Sequence, residues 1–284
     1  MKTTKLITLA GLMVISLTAT AMAKSPSKSQ MVKLADAQIE YFSQGQGDVV
    51  VLLPGGSLNV HYMEGLAKAL AHAGYRAVRI NPRDAGKSTG TAKGITLHDL
   101  AGDVAGVIKS LKAGPVTVAG HAFGNRVARM LAADHPELVK NVILFAAGGK
   151  VPPKPDAQKA LKKIFDPKTS ETDYVAAMAY MVGDPADAKM AGKILKESRA
   201  PKASAIQYAA AGTAKLDDWW APSGKANFLV LQGTKDQAAP PENGDLLKKD
   251  LGDRVTLVSF PGAGHLMLVT EPEKVAKAVV KFLK

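Results

Sequence analysis

The chain has 284 residues, enough for one substantial core, with 37 basic and 25 acidic residues and no cysteine. The missing thiols exclude disulfides, cysteine-ligated zinc and thiol nucleophiles. The net charge of +12 is spread over helix-like stretches such as "KKIFDPK" (162–168) and "LLKKD" (246–250), with no aromatic-interleaved basic stripe, so nucleic-acid binding is not expected.

The first elements read as a targeting segment. Lys2 and Lys5 precede an apolar run from Leu6 to Leu17, and Ala21-Met22-Ala23 is a small-x-small cleavage pattern. Residues 1–23 are therefore read as a signal peptide cut after Ala23. The apolar run is short for a membrane span, and the protein is expected in the periplasm or outside the cell with no stable membrane anchor. "KSPSKSQ" opens a flexible lead-in over 24–35.

Strand-like and helix-like segments then alternate. "QIEYF" (38–42) and the β-branched run "DVVVLLP" (48–54) read as strands, the second entering a Pro-Gly-Gly turn. "HYMEGLAKALAHAG" (61–74) has helical spacing and ends on Gly74. "YRAVRIN" (75–81) is a strand, and "TLHDLAGDVAGVIKSLKAG" (96–114) is a helix capped by Thr96. "PVTVAG" (115–120) runs into "GHAFG" (120–124), and "GNRVARMLAADHP" (124–136) is the next helix, stopped by Pro136. "VKNVILFAA" (139–147), "NFLVLQG" (227–233) and "RVTLVSF" (254–260) are further strands, followed by a closing helix at 272–284. This alternation predicts an α/β fold with a mostly parallel sheet, helices on both faces and ligands at the carboxyl ends of the strands.

Residues 150–222 break the rhythm. They are rich in Ala, Lys and Pro, lack strand signals and carry both tryptophans among their aromatics, which include Phe165, Tyr174, Tyr180, Tyr208, Trp219 and Trp220. They read as a helical cap inserted between the two core segments, 36–149 and 223–284. Its aromatics either line a pocket or pack the cap onto the sheet.

Four stretches, in this order, resemble the α/β-hydrolase superfamily of the cap-bearing, single-domain, esterase- and epoxide-hydrolase-like kind: "VVVLLPGGS" (49–57), "GHAFG" (120–124), "LVLQGTKDQAAPP" (229–241) and "FPGAGHLMLVTEPEKV" (260–275). The resemblance implies a nucleophile elbow at residue 122, an oxyanion hole from the N–H groups of Gly56 and Phe123, an acid at Asp236 and a base at His265. Ser57, His121, Trp219 and Trp220 are the implied substrate-binding residues, and His61 is expected near the pocket mouth. The chain departs from the pattern at the elbow, where Ala122 stands in the place of a Ser or Asp nucleophile. Ser57 and Ser259 lie off the elbow and are not expected to replace it. "RDAGKS" (83–88) lacks the upstream Gly of a phosphate loop, Asn81 standing there, and matches the family's structural turn instead.

No cofactor and no metal is expected, the partner being a small-molecule substrate. The preferred expectation is an exported enzyme acting on a small apolar ester, lactone or related carbonyl compound, with His265 and Asp236 as base pair and no covalent serine intermediate. Two alternatives stand beside it: a non-catalytic protein that binds a small ligand on the same scaffold, and a Ser-to-Ala variant of an ordinary serine hydrolase.

Overall fold

The computed structural model describes residues 27–284. The signal-peptide reading of 1–23 lies outside the described residues, as do the first three residues of the lead-in.

Nine strands form one sheet: β1 (Ser29–Lys33), β2 (Ala37–Gln44), β3 (Val49–Leu53), β4 (Arg76–Ile80), β5 (Thr89–Gly90), β6 (Val116–His121), β7 (Val139–Phe145), β8 (Asn227–Gly233) and β9 (Val255–Phe260). Their spatial order is β1-β2-β4-β3-β6-β7-β8-β9, with the two-residue β5 on β2. From β4 to β9 neighbouring strands run parallel, while β1 and β2 are antiparallel to each other and β2 to β4. The chain is thus an α/β fold, as the alternation predicts. Part of the lead-in is corrected: residues 29–33 are an edge strand. Its pattern was too polar to read because the side chains of "SQMVK" face mostly solvent, and the backbone pairing to β2 holds it.

Parallel strands buried on both faces need continuous apolar runs, and β3, β7 and β8 supply them over 49–53, 142–145 and 228–231. Val51, Leu53, Val142, Leu144, Phe228 and Val230 face one core, while Val50, Leu52, Ile143, Phe145, Leu229 and Leu231 face the other. The first core is closed by α2 (Leu97–Ser110), α3 (Phe123–Asp134) and α9 (Glu242–Leu251). The second is closed by α1 (Glu64–His72), the short α10 (Met267–Thr270) and α11 (Pro272–Leu283). Helix α2 begins at the Thr96 cap, which forms a reciprocal capping box with Asp99.

From β3 the chain passes through α1 to β4 on one side, then through α2 to β6 on the other. The sheet order therefore reverses between β3 and β6, which opens a crevice at their carboxyl ends. The helices over 150–222 are α4 (Pro155–Phe165), α5 (Glu171–Met178), α6 (Ala188–Glu197), α7 (Pro201–Thr213) and α8 (Leu216–Trp219). They divide between the two cores: Ile164, Tyr174, Met178 and Leu195 join the second, and Ile206, Ala210, Trp219 and Trp220 join the first.

The "NPRDAGKS" loop is a structural turn. Arg83 is buried between Asp36 and Asp103, with N–O distances of 2.9 and 2.7 Å. Asp84 sits at φ 59°, and a Cβ on Gly86 would lie 2.2 Å from a Glu40 carboxylate oxygen, so glycine is required there.

Candidate active site

Residue 122 lies between strand β6 and helix α3 at φ 48°, ψ −109°, a strained backbone for any residue with a Cβ. The turn is possible because its flanking residues are glycines. A Cβ on Gly120 would stand 2.3 Å from the Gly124 carbonyl oxygen, and one on Gly124 would stand 2.5 Å from the Leu53 carbonyl oxygen. Strand, turn and helix are pressed together at van der Waals limits, and the Ala122 N–H is tied to the Phe145 carbonyl at 3.3 Å. The Ala122 methyl lines a cavity of about 370 Å³.

The loops after β8 and β9 supply the polar side chains. Asp236 is buried; its Oδ1 accepts from the N–H groups of Ala238 and Ala239 at 2.8 and 2.7 Å, and its Oδ2 lies 2.9 Å from His265 Nδ1. A carboxylate held by three donors orients the imidazole and fixes the proton on Nδ1, which leaves Nε2 as the free acceptor. His265 also lines the cavity. The structure thus brings Ala122, Asp236 and His265 to one end of the sheet.

Gly56 and Phe123 line the same cavity. Among the described residues neither backbone N–H has a hydrogen-bond acceptor, and Phe123 is the first residue of α3, where the helix dipole favours negative charge. The neighbouring donors are taken: Gly55 N–H donates to the Tyr62 hydroxyl at 2.7 Å and Ser57 N–H to Gln207 Oε1 at 2.7 Å. Two free donors face a cavity that also holds an oriented imidazole.

His121 links these parts. Its Nε2–H donates to the His265 carbonyl at 3.1 Å, so Nδ1 accepts from the Tyr62 hydroxyl at 2.9 Å, and that hydroxyl in turn accepts from Gly55. Burial, with the nearby His265 adding to it, pushes the His121 pKa down to about 3, so the ring is neutral. The chain Gly55–Tyr62–His121–His265 ties the loop after β3, the elbow and the loop after β9 into one network. Tyr62 and Gln207 escaped the sequence reading. Their contacts are set by the tertiary fold, and Gln207 lies 150 positions from Ser57.

Three of the sequence expectations are corrected. Ser57 does not line the cavity; it sits buried at φ 64° with its hydroxyl donating to Ser204 Oγ at 2.8 Å. Trp219 and Trp220 do not line it either. They are buried beside α3, where the Arg129 guanidinium lies 4.5 and 5.1 Å from their ring centroids and Trp220 Nε1–H donates to Asp250. Aromaticity gave no sign of which face of α8 would be buried. His61 stacks against Phe42 at 5.7 Å, outside the cavity. Ser259, the other serine weighed as a nucleophile, is exposed on β9. The rest of the cavity wall is mostly apolar and comes largely from the cap, through Leu161, Ile164, Phe165, Met181 and Leu195.

The family model described as the alpha/beta hydrolase fold matches residues 48–272. The chain belongs to the α/β-hydrolase family. A protein of Mycobacterium tuberculosis that carries the name non-heme bromoperoxidase BpoC is 27% identical over 269 residues, covering 86% of this chain and 97% of that one. A 2-(acetamidomethylene)succinate hydrolase of Mesorhizobium japonicum is 25% identical over 274 residues, covering 90% and 95%. Among solved structures, an esterase from Exiguobacterium antarcticum superposes with a TM-score of 0.74 at 23% identity, over 90% of this chain and 99% of that one. At that identity the superposition speaks for the α/β-hydrolase fold alone.

Proposed function

We propose that this α/β-hydrolase is an exported enzyme that hydrolyses a small, largely apolar ester, lactone or related carbonyl compound by direct attack of water. The observation that carries the reading is the intact Asp236–His265 pair, at 2.9 Å, facing a cavity that also holds two free N–H donors and a methyl where a nucleophile would stand. A hydrolase among the relatives, the 2-(acetamidomethylene)succinate hydrolase, supports the reaction class.

In this mechanism the carbonyl oxygen of the substrate lies at the N–H groups of Gly56 and Phe123. A water beside Ala122 gives its proton to His265 Nε2 as its oxygen attacks the carbonyl carbon. The negative charge that develops on the carbonyl oxygen is stabilised by the two N–H groups and the α3 dipole. The tetrahedral intermediate then expels the alcohol oxygen, which takes the proton back from His265. One water is consumed, and one acid and one alcohol leave. Asp236 stabilises the imidazolium while it exists. Export rests on the leader-like residues 1–23.

The test is hydrolysis of short-chain aryl esters and lactones by the purified protein beside His265→Ala. Removing a general base lowers kcat by about 10²–10⁴-fold. Activity unchanged in His265→Ala, or no activity in the parent on any member of the panel, refutes base-catalysed hydrolysis.

A further inference from the structure

Among the described residues, one cation on the cavity wall has no counter-charge. Arg126 lies in the first turn of α3, four residues after Ala122, and both residues line the cavity. It lines the cavity and is half-buried. Its guanidinium carbon stands 5.2 Å from the Trp219 ring centroid and 6.0 Å from that of Phe123. Beneath it lies Arg129, fully buried on the two tryptophans. The hydrogen bonds of Arg129 go to the carbonyls of Asn125 and Gly148, and its Nη1 has no partner among the described residues. Gly148 itself lines the cavity.

Among the described residues neither arginine forms an ion pair, whereas buried Arg83 is clamped by Asp36 and Asp103. Among the described residues no carboxylate lines the cavity. The nearby acid of the base pair, Asp236, is saturated by Ala238, Ala239 and His265. Two adjacent guanidiniums repel each other, and part of their hydration is lost; burial lowers the pKa of both. The N-terminus of α3 adds positive potential on the same wall. An anion placed there relieves all of these costs at once, and a planar guanidinium matches a carboxylate with two parallel hydrogen bonds.

We infer that the ligand of this cavity carries a carboxylate, bound by Arg126, a few bonds from the carbonyl group that lies at Gly56 and Phe123, with its apolar remainder under the cap. The placement of the carbonyl rests on the proposed function; the anion site does not.

The experiment is calorimetric titration of the purified protein with adipate, monomethyl adipate and dimethyl adipate, three probes of nearly one shape that differ in charge. Monomethyl adipate is expected to bind about tenfold or more tighter than dimethyl adipate. Arg126→Gln is expected to erase that preference and Arg126→Lys to keep part of it. Equal binding of the two esters by the parent, no binding of any probe at millimolar concentration, or a preference that survives in Arg126→Gln overturns the inference. If Arg126→Gln fails to fold, the parent comparison and Arg126→Lys still decide. The readout needs no turnover. A charge preference without hydrolysis leaves this inference standing and sinks the proposed reaction, while hydrolysis of neutral esters without a charge preference does the reverse.

Discussion

The two halves of the site keep different things. The loops after β8 and β9 keep every polar group: Asp236 has three hydrogen-bond donors, and His265 is held in one orientation. The elbow between β6 and α3 keeps only backbone. Its left-handed turn, its flanking glycines in near-contact and the free N–H of Phe123 are all in place, but the side chain at 122 is a methyl. The strain of the elbow therefore does not depend on a nucleophile. The turn is imposed by the packing of β6, α3 and the β3 loop, and no side-chain oxygen at position 122 is needed to hold it. A methyl at 122 offers no nucleophile, while the cavity, the Asp236–His265 pair and the free N–H groups of Gly56 and Phe123 are assembled around it.

Placing an oxygen at position 122 is the strongest way to sharpen that contrast. If the two halves are in register, Ala122→Ser places a hydroxyl beside His265 and completes a triad. The expected gain in kcat is about 10²-fold or more, since a serine nucleophile accounts for most of the rate in enzymes built this way. A burst of alcohol release before steady state, from acyl-enzyme formation, should accompany it. Stopped-flow hydrolysis of an aryl ester measures both. An Ala122→Ser protein no faster than the parent means that the base loop and the elbow are not aligned for reaction.

How much of this was legible in the sequence follows the same division. The elbow could be read because Gly120 and Gly124 are demanded by backbone clashes, and such demands leave a fixed spacing. Asp236 could be read because it follows the buried apolar strand β8, and His265 because it stands in a Gly-x-Gly-His loop after the last strand. The β3, β7 and β8 strands were legible from their apolar runs. What failed were positions whose meaning depends on a distant partner. The edge strand at 29–33 is held by backbone pairing and has no apolar face. Trp219 and Trp220 are aromatic in either setting, and the presence of Arg129 decides that they are buried as its support. Arg126 reads as an ordinary polar helix residue until the cavity is seen.

Acid should loosen the network that joins the halves before it touches the carboxylates. His121 is buried and neutral, with its pKa pushed down to about 3 from its ordinary 6.5. Below about pH 6.5 the unfolded chain binds a proton at this histidine that the folded chain refuses, so stability is complete above that pH and falls as pH drops toward 3. The slope is up to about 1.4 kcal/mol per unit, giving a loss of about 2–3 kcal/mol between pH 6.5 and 4.5. Urea unfolding at a series of pH values measures it, and His121→Gln should flatten that limb whatever its effect at neutral pH. An equally steep limb in His121→Gln would place the acid sensitivity elsewhere.

The smallest expected effect bears most directly on where the strain resides. Ala122→Gly removes the only atom that makes φ 48° costly, and it also frees the unfolded chain, so the two effects oppose each other. Relief at a positive φ exceeds the entropy loss, and a net stabilisation of up to about 1 kcal/mol is expected in the urea midpoint. If the proposed water reaction holds, its rate should stay within about threefold of the parent, because the methyl takes no part in that proton transfer. Destabilisation by about 1 kcal/mol or more would mean that the methyl is a packing contact the site depends on. In that case the elbow would owe its shape partly to residue 122 and could not be treated as a backbone device independent of its side chain.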